Sequence, residues 1–409
     1  MNPAIYDLYF EIVSTALTNA KLQINKCRRN FMLDIFLLYL SIPGRINFLQ
    51  LGRYGRHGEQ HYRRQSEKMF AFFSFNTALA RPFIGKRCAI AFDPSFMHKS
   101  GKQTPGIGYF WSGCAGKTLR GLEVLGLSVI DADSRLSFHL NATQTPPTSC
   151  LQENELTLPD WYAAVIKKNI ELIRSLSPYV VADAFFSKKG FVDDILKMEL
   201  HLVSKLRDDA DLRYCIEPRR TGTRDRPASR YKERVDPLNL NSQYFTTVEN
   251  NRGIKAQAAV VYSKSLEREI LVVVEEFLVK GKVTRRFLFS TDTSQEPSHV
   301  IDFYHTRFQI EFGFRDAKQF PGLENSQARS TNKLDFHFNT ALTAVNIAKI
   351  MQLKDDNRKE FPFSMRDCKI LFHNAMMLSR FFDKFGIPPN SRKKQAYVKD
   401  LLLLGTLAA

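Results

Sequence analysis

The sequence lacks any apolar run long enough to cross a membrane. Its longest uninterrupted apolar stretches, Ile35–Leu40 and Leu401–Leu404, are far shorter than the ~20 residues of a spanning helix. The N-terminal segment carries Asp7 and Glu11, whereas a secretion signal is uncharged and apolar there. We therefore expect a soluble, cytoplasmic protein with no membrane partner.

Closely spaced cysteines are also missing. No pair has the CxxC or Cys/His spacing of a structural zinc site, which argues against such a site. Isolated cysteines are typical of reduced, mostly buried thiols in a reducing compartment. The six cysteines are Cys27, Cys88, Cys114, Cys150, Cys215 and Cys368.

Acidic residues are too few to balance the basic ones. Lys and Arg number 59 against 42 Asp and Glu, so the formal net charge is +17. Such a charge favours a polyanionic partner, namely DNA, RNA or an anionic membrane, but does not choose among them. The alternative is a basic protein whose surface charge only keeps it soluble. At 409 residues, the chain is expected to form two to four domains.

Residues 1–85 have the pattern of a helical region that binds DNA. Apolar residues recur at helical spacing in Tyr6–Leu22 and Phe31–Leu40, and two shorter helices are predicted at Arg45–Leu51 and Glu59–Phe70. The two short helices resemble a helix-turn-helix. A helical bundle with a solvated basic face is the alternative. The second short helix carries the candidate DNA contacts Arg63, Arg64 and Lys68.

Residues 86–207 alternate between strand and helix patterns, which is typical of a mixed α/β sheet with flanking helices. An amphipathic helix is predicted at Leu158–Leu176. The predicted strands are Arg87–Phe92, Gly106–Gly113, Leu122–Ile130, Ser137–Asn141, Pro178–Ala182 and His201–Leu206.

Residues 208–298 form a predicted β-rich insertion, because β-branched residues and period-2 alternation dominate there. Within it Arg219–Arg234 has no apolar period and is predicted to be a basic loop. Helices resume over 299–350 and again in a C-terminal region, 351–409. The candidate DNA contacts in the insertion are Arg219, Arg220, Arg224, Arg226 and Arg286.

Two aspartates follow predicted buried strands. Asp93 comes after Ala-Ile-Ala-Phe, and Asp183 after Tyr-Val-Val-Ala. Strand ends in α/β sheets are where sites are usually built, and Mg²⁺ binds through one or two carboxylates with phosphates and water. The alternative is that each Asp is a helix cap or a turn residue.

A helix predicted over Ile301–Lys318 presents four polar side chains on one stripe. At about 100° per residue they fall within an arc of roughly 60°. Cations beside a carboxylate can hold a phosphate or stabilise charge that develops in phosphoryl transfer. Ordinary i,i+4 ion pairs are the alternative. The four residues are Tyr304, Arg307, Glu311 and Lys318.

This spacing resembles the Tyr-Arg-Glu-Lys signature of a large family of bacterial insertion-sequence transposases. That family has two upstream aspartates at strand ends, and Asp93 and Asp183 stand at the matching places. It also carries a β-rich module between its second Asp and its Glu. The resemblance covers roughly residues 86–350 and implies a ribonuclease-H-like fold.

The resemblance implies that Asp93, Asp183 and Glu311 are the catalytic residues and hold two Mg²⁺ ions, for which Mn²⁺ can substitute. Asp93 would bridge both ions, and the other two carboxylates would each bind one. The remaining signature residues, Tyr304, Arg307 and Lys318, would contact DNA phosphates near the cut.

Other carboxylates compete for these roles. Asp131 follows the apolar run Leu-Ser-Val-Ile and is the closest rival of the two strand-end aspartates. The remaining rivals are Asp133, Asp193, Asp194, Asp302 and Asp316.

The function that the resemblance implies is cut-and-paste transposition in a bacterial, nucleoid-associated protein. The enzyme would bind the terminal inverted repeats of its insertion sequence, cleave the ends and join them to target DNA. It would act as a homodimer assembled on DNA, with the C-terminal helices as the expected interface. The alternatives are a catalytically silent DNA-binding regulator and a ribonuclease-H-like nuclease.

Relatives with this signature form a DNA hairpin at the transposon end, and some stack a flipped base on a tryptophan in the insertion. Here the two tryptophans, Trp111 and Trp161, lie outside the insertion. We expect Arg286 or Phe287 to supply the stacking surface instead.

Overall fold

One mixed β-sheet runs through the molecule, with helices on both of its faces. The computed structural model describes residues 4–207, 209–215, 231–250, 252–355, 359–386 and 392–407. The predicted α/β fold with a mixed sheet and flanking helices is confirmed, and the arrangement is consistent with a ribonuclease-H-like fold. The strands are β1 (Cys88–His98), β2 (Gly108–Ser112), β3 (Lys117–Asp131), β4 (Ser137–Gln144), β5 (Tyr179–Val181), β6 (His201–Lys205), β7 (Leu212–Cys215), β8 (Tyr231–Arg234), β9 (Thr246–Glu249), β10 (Lys255–Ser263), β11 (Arg268–Val279) and β12 (Lys282–Ser290).

The helices precede, interrupt and follow these strands. They are α1 (Ala4–Asn19), α2 (Lys26–Ser41), α3 (Phe48–Tyr54), α4 (Glu59–Ser66), α5 (Phe72–Ala80), α6 (Thr148–Glu153), α7 (Leu158–Lys168), α8 (Ile170–Arg174), α9 (Lys189–Lys197), α10 (Pro297–Arg307), α11 (Gln309–Gln319), α12 (Thr331–Lys354), α13 (Met365–Phe385) and α14 (Arg392–Leu403).

The centre of the sheet is parallel and its wings are antiparallel. In the described residues the strand order is β2-β3-β1-β5-β6-β12-β11-β10-β7-β8, with β4 also paired to β3 and β9 to β10. β5 lies parallel to both β1 and β6. β12 then pairs antiparallel with β6, so the strands of the predicted insertion continue the same sheet.

Strand β1 is longer than the predicted Arg87–Phe92, because antiparallel pairing with β3 carries it on to His98. Its side chains alternate between the faces. Ile90 and Phe92 enter the main core, whereas Ala89 and Ala91 belong to a smaller core under α10. These two small side chains leave room for α10 to lie close to the strand.

Two helices predicted to be continuous are divided. The helix predicted over Ile301–Lys318 breaks at Phe308, which separates α10 from α11. The helix expected over 158–176 breaks at Asn169, whose side chain donates a hydrogen bond to the Val165 carbonyl. Neither break coincides with a glycine or proline, the residues that signal helix ends in a sequence.

The N-terminal helices α1 and α2 were predicted, but the next two have shifted bounds. Asn47 accepts a hydrogen bond from the Gln50 amide, and α3 therefore begins at Phe48 rather than Arg45. α4 ends at Ser66 rather than Phe70, which leaves Lys68 beyond the helix. Helix α5 was not predicted.

Helix α12 joins these N-terminal helices to the sheet. Buried Asn339 makes two hydrogen bonds to the backbone of Ala142 on β4, at 2.8 and 2.9 Å. On the other side, Tyr39 Oη lies 2.6 Å from His337 Nδ1, and Asn76 donates to Thr343 at 3.0 Å. Helices α2 and α5 therefore share one core with α12, the helix that packs against the sheet.

The six cysteines are all reduced thiols, but the expectation that most are buried is wrong. Cys27, Cys114 and Cys150 are exposed, and only Cys88 and Cys368 are buried. Among the described residues, no helix combines the length and the apolar character that a membrane span requires.

Candidate active site

Asp93 lies on the face of β1 that α10 covers, in the same row as Ala89 and Ala91. It does not end the strand, as the sequence suggested, but it lies just past the part of β1 that pairs with β5. Ala91 is the last paired residue there and lies opposite Val181. Asp93 and Asp183 are therefore each two residues beyond this pair, on adjacent parallel strands.

Asp183 occupies the turn that follows β5. Its carboxylate accepts a hydrogen bond from the Phe185 amide at 2.9 Å and caps a 3₁₀ turn at Ala184–Phe186. The hydroxyl of Ser204 on β6 donates to the Asp183 carbonyl at 2.7 Å. The helix-cap alternative thus describes one role of this side chain, and its charge also contributes to the raised pKa of Asp93.

Arg307 joins Asp93 to Glu311. Its Nη1 atom lies 3.6 Å from Asp93 Oδ1, and its Nη2 atom lies 3.4 Å from Glu311 Oε1. Arg307 is the last residue of α10, and Glu311 lies in the first turn of α11. Only 12% of the Arg307 side chain is exposed, so its charge acts where water screens it weakly.

A glycine allows α11 to reach this edge of the sheet. Gly126 on β3 is paired with Asp93, and a Cβ atom there would lie 2.6 Å from Cζ of Phe314. Real Cβ atoms are not found so close to a ring carbon. The absence of a side chain at 126 thus lets Phe314 pack against the strand and holds Glu311 near Asp93.

The other two signature residues are only partly exposed. The Tyr304 ring lies beneath the Arg307 guanidinium, 5.7 Å from ring centre to Cζ. Lys318 donates a hydrogen bond from Nζ to the Phe96 carbonyl at 2.6 Å, and Nζ lies 3.9 Å from Glu324 Oε1. Lys318 therefore ties α11 to β1 three residues beyond Asp93.

Burial and mutual repulsion shape the charge of the site. Burial raises the pKa of the Asp93 carboxyl to about 7; Arg307 opposes the rise, and Glu311 and Asp183 add to it. Burial also raises the pKa of Glu311, again against the effect of Arg307. A positive charge nearby stabilises the ionised form of carboxylates that are partly buried and repel one another.

The carboxylates suit a hard divalent cation in ligand type, since Mg²⁺ prefers carboxylate oxygens. Within the described residues, however, no three Asp, Glu, His or Cys side chains are grouped closely enough to hold an ion. Instead, the Arg307 guanidinium lies between Asp93 and Glu311 and supplies positive charge there. The carboxylates therefore fit a divalent cation by their chemistry, although Arg307 bridges Asp93 and Glu311 in this structure.

The rival carboxylates have structural partners. Asp131, the closest rival, is buried and accepts hydrogen bonds from the Gly85, Asp133 and Ser134 amides at 2.5, 2.8 and 3.0 Å. These bonds shape the turn after β3. The other rivals pair with cations, as follows: Asp133 and Asp302 with Arg87, Asp193 with Lys189 and Arg268, Asp194 with Lys197, and Asp316 with Arg315.

The predicted DNA contacts lie in separate places. Arg63 is on α4, where it pairs with Glu59 and lies over the Phe48 ring at 4.8 Å. Arg64 and Lys68 are exposed. Four candidates in the basic loop lie outside the described residues, namely Arg219, Arg220, Arg224 and Arg226.

Arg286 lies on β12 and is held by neighbours on β11. Its guanidinium is 3.4 Å from Glu275 and 5.0 Å from the centre of the Phe277 ring. Phe287, the other candidate for base stacking, is 8% exposed and belongs to the main core. A stacking role for Phe287 is therefore wrong in this fold, because its ring is not accessible to a base.

Two buried carboxylates near the site were missed in the sequence. Glu123 on β3 accepts a hydrogen bond from Tyr162 Oη at 2.6 Å, and its charge contributes to the raised pKa of Asp93. Glu275 on β11 lies 2.8 Å from His305 of α10. A lone Glu within an apolar strand pattern, as in Gly-Leu-Glu-Val-Leu, was the available signal.

Comparison with known families finds a match in the central part of the chain. Residues 163–347 match the sequence model of a family described as "Transposase DDE domain". No curated protein matches the chain. The matched region contains Asp183, Arg307 and Glu311, whereas Asp93 lies upstream of it. The match supports a transposase-family function with DNA as the substrate.

Proposed function

We propose that this protein is a cut-and-paste DNA transposase of the Tyr-Arg-Glu-Lys type. The observation that carries the proposal is the convergence of Asp93, Arg307 and Glu311 at one edge of the sheet. Two of these residues lie in the segment that matches the transposase domain, and the third comes from an adjoining strand. The mixed sheet and its flanking helices thus bring together residues that are 218 positions apart in the sequence, from 93 to 311.

In this proposal Asp93, Asp183 and Glu311 hold two Mg²⁺ ions, and Mn²⁺ can take their place. Such a pair of ions supplies activation of the attacking water or 3′-hydroxyl and stabilisation of the leaving oxygen. Burial raises the pKa of Asp93, and repulsion by Glu311 and Asp183 adds to the rise; both effects favour a bound divalent cation beside the ionised carboxylates.

The cations of the signature act on the DNA backbone. When Arg307 leaves the carboxylates, its planar guanidinium is in reach of a phosphate beside the scissile bond, where it would offset developing charge. The Tyr304 ring lies under that guanidinium and restricts the conformations that the Arg307 side chain can adopt. Lys318 keeps β1 and α11 together through the Phe96 carbonyl, so its first effect is to position Asp93 relative to Glu311.

Recognition of the terminal inverted repeats is proposed for α3 and α4, and assembly on DNA for the C-terminal helices. α13 exposes Met377, Phe381 and Phe385 at i, i+4 and i+8, which gives one apolar stripe on its surface. Exposed apolar stripes of this kind mark protein interfaces more often than isolated apolar residues do. The stripe supports a homodimer in which each copy holds one DNA end.

The experiment that tests the proposal is cleavage of end-labelled DNA that carries the repeats flanking the protein's own gene. Asp93→Asn, Asp183→Asn and Glu311→Gln should each abolish cleavage and leave DNA binding intact. Matched controls are Asp383→Asn and Glu153→Gln, which make the same changes at exposed positions. Mg²⁺ or Mn²⁺ should support cleavage, and Ca²⁺ should support binding at most.

Each alternative predicts its own result in this assay. A silent regulator would bind the repeats and never cut them, in any metal. A ribonuclease-H-like nuclease would cut without joining the ends to a target plasmid. Near wild-type cleavage by any of the three carboxylate variants would remove that residue from the proposed site, and full activity in excess chelator would exclude the metal mechanism.

A further inference from the structure

A large polar cleft lies beside the candidate active site, between the N-terminal helices and the sheet. We call it the basic cleft. Its volume is about 1040 Å³. One wall comes from the segment before α3 and from α4, and the opposite walls are the loop 98–104, which follows β1, and the loop 324–330, which precedes α12. The cleft therefore spans the distance between the proposed recognition helices and the catalytic edge.

Positive charge dominates the lining of the basic cleft. Six lining residues are cations, and one is a carboxylate, Glu324. The remaining lining residues are mainly hydroxyl and amide side chains that can donate hydrogen bonds. The cations are Arg45, Arg63, Lys99, Lys102, Arg329 and Lys333.

Half of these cations already have partners. Arg63 pairs with Glu59 at 2.5 Å, and Lys333 pairs with Glu67 at 2.9 Å. Lys99 is half-buried and donates hydrogen bonds to the carbonyls of Glu324 and Ser326. Lys99 thus fixes the loop 324–330 against the loop 98–104 and gives the cleft a preformed wall.

The other three cations are available to a ligand. The side chains of Arg45, Lys102 and Arg329 are exposed and, within the described part of the chain, form no hydrogen bond or ion pair. They come from three different segments, yet all face one cleft. Unpaired cations that converge on a concave surface focus an attractive field on an anionic ligand.

The shape and chemistry of the cleft favour a nucleic-acid strand over a small molecule. Small-molecule sites are mostly apolar and enclosed, whereas this lining is polar and open to solvent. Among the described residues, its lining contains no Phe, Tyr or Trp ring. Its donors suit phosphate oxygens, which are read without regard to sequence.

The basic cleft is connected to the catalytic edge through β1 and Lys318. β1 runs from Asp93 to His98, and His98 belongs to the cleft lining. Lys318 bonds to the Phe96 carbonyl and approaches Glu324, the carboxylate of the cleft. A DNA strand that lies in the basic cleft would therefore run along β1 toward Asp93.

We propose that the basic cleft binds the phosphodiester backbone of the DNA segment between the recognised repeat and the cleavage point, chiefly through Arg45, Lys102 and Arg329. This inference rests on the proposed function for its choice of DNA. It adds a sequence-independent track between recognition and catalysis that lies outside the signature residues.

The test measures binding of the full chain to a fluorescent random-sequence DNA duplex by anisotropy at several salt concentrations. The triple variant Arg45→Gln, Lys102→Gln, Arg329→Gln should weaken binding. The plot of log affinity against log salt, whose slope is negative, should become less steep by about 2 to 3, since each phosphate contact contributes about 0.9. Each single variant should make the plot less steep by about 0.9.

The matched control removes three exposed cations outside the cleft, by Lys21→Gln, Lys167→Gln and Arg366→Gln. Its net charge equals that of the triple variant, so a contribution of overall charge affects both proteins equally. Thermal unfolding monitored by circular dichroism verifies that the variants are folded, and the single variants provide the slopes if the triple variant is not.

An unchanged salt slope in the cleft variants, or an equal loss in the control, would overturn the cleft proposal. The proposed transposase function would stand in that case, provided that the wild type still cleaves the repeats. Tighter binding of RNA than of DNA of equal length would overturn the choice of occupant. If the wild type binds no nucleic acid, both the cleft and the proposed function fail.

Discussion

Arg307 Nη1 lies 3.6 Å from Asp93 Oδ1, and the same guanidinium reaches Glu311. An arginine thus bridges the two carboxylates that the proposed mechanism assigns to metal ions. Burial raises the pKa of Asp93, repulsion by Glu311 and Asp183 adds to the rise, and Arg307 opposes it. In the proposed mechanism the bridge opens when a divalent cation binds.

The bridge leads to a prediction about stability. Arg307→Gln should lower the free energy of unfolding without metal by about 1–2 kcal/mol, because it leaves two partly buried carboxylates without their charged partner. Mg²⁺ should then raise the melting temperature of the variant more than that of the wild type. Differential scanning fluorimetry with and without Mg²⁺ measures both effects.

The control for this prediction is Arg315→Gln on the neighbouring helix α11, since that side chain is 63% exposed, pairs with Asp316 and lies over the Phe312 ring. It should leave the response to Mg²⁺ unchanged. An equal Mg²⁺ response in Arg307→Gln and wild type would show that the guanidinium does not compete with the ion.

Gly126 gives a prediction about the position of α11. Gly126→Ala should destabilise the fold by about 1–3 kcal/mol, because the new methyl group meets the Phe314 ring. Cleavage should fall as well, since α11 carries Glu311. Adding Phe314→Leu should restore part of both losses. Urea unfolding and the cleavage assay measure them.

A glycine substitution elsewhere provides the comparison. Gly190→Ala lies in α9, where a Cβ atom would have no neighbour within 4 Å, and it should be neutral or slightly stabilising. If Gly126→Ala behaves like Gly190→Ala, the close approach of α11 to β3 is not required.

Much of this edge was predictable from the sequence, because strand and helix periods determine which residues lie at its boundaries. Asp93 and Asp183 follow runs of apolar β residues, and their adjacency follows from parallel pairing. The break at Phe308 carries no glycine or proline signal, so the predicted stripe appeared to be continuous. The role of Gly126 depends on Phe314, which lies 188 positions away in the chain, from 126 to 314, and no local pattern records that contact.

A buried lysine makes stability depend on pH. Lys369 on α13 donates hydrogen bonds to the carbonyls of Tyr39 and Ile42 at 2.9 and 2.5 Å, and burial lowers its pKa to about 7. In the unfolded chain a lysine has a pKa of about 10.4. Between these values the unfolded state binds more protons, so the free energy of unfolding should rise with pH, by roughly 5 kcal/mol over the whole window.

Chemical denaturation at several pH values checks this expectation. The pH values should cover roughly 6 to 10.5, which includes both pKa values of Lys369. Lys369→Met should flatten the rise. Lys399→Met, at an exposed position on α14, should not. A slope in Lys369→Met as steep as in the wild type would place the responsible group elsewhere.

DNA recognition by the N-terminal region has to be tested with point variants and not by deletion. Deleting residues 1–85 would expose the core that α2 and α5 share with α12, so the truncated chain is expected to misfold. Point variants of exposed residues avoid this. Arg64→Gln with Lys68→Gln should reduce the preference for the terminal repeats and retain weak, salt-dependent binding.

Competition binding between repeat DNA and random DNA measures that preference. Lys21→Gln with Lys167→Gln removes the same charge at exposed positions of α7 and the turn after α1, and it should leave the preference intact. If the α4 pair also leaves it intact, the N-terminal helices have a structural role only.

The last prediction concerns how the second DNA strand is cut. With Phe287 buried, Arg286 is the remaining candidate to stack on a base that is flipped out of a tight hairpin. Its guanidinium carbon lies 5.0 Å from the centre of the Phe277 ring, and its side chain is 34% exposed, so part of it is accessible to a ligand. Arg286→Ala should therefore reduce hairpin ends, which run on denaturing gels as slow species of about doubled length. Arg285→Ala, on the neighbouring residue that pairs with Glu276, is the control and should leave them unchanged. Unchanged hairpins in Arg286→Ala would exclude the stacking role, and a wild type that never makes this species would exclude the hairpin route itself.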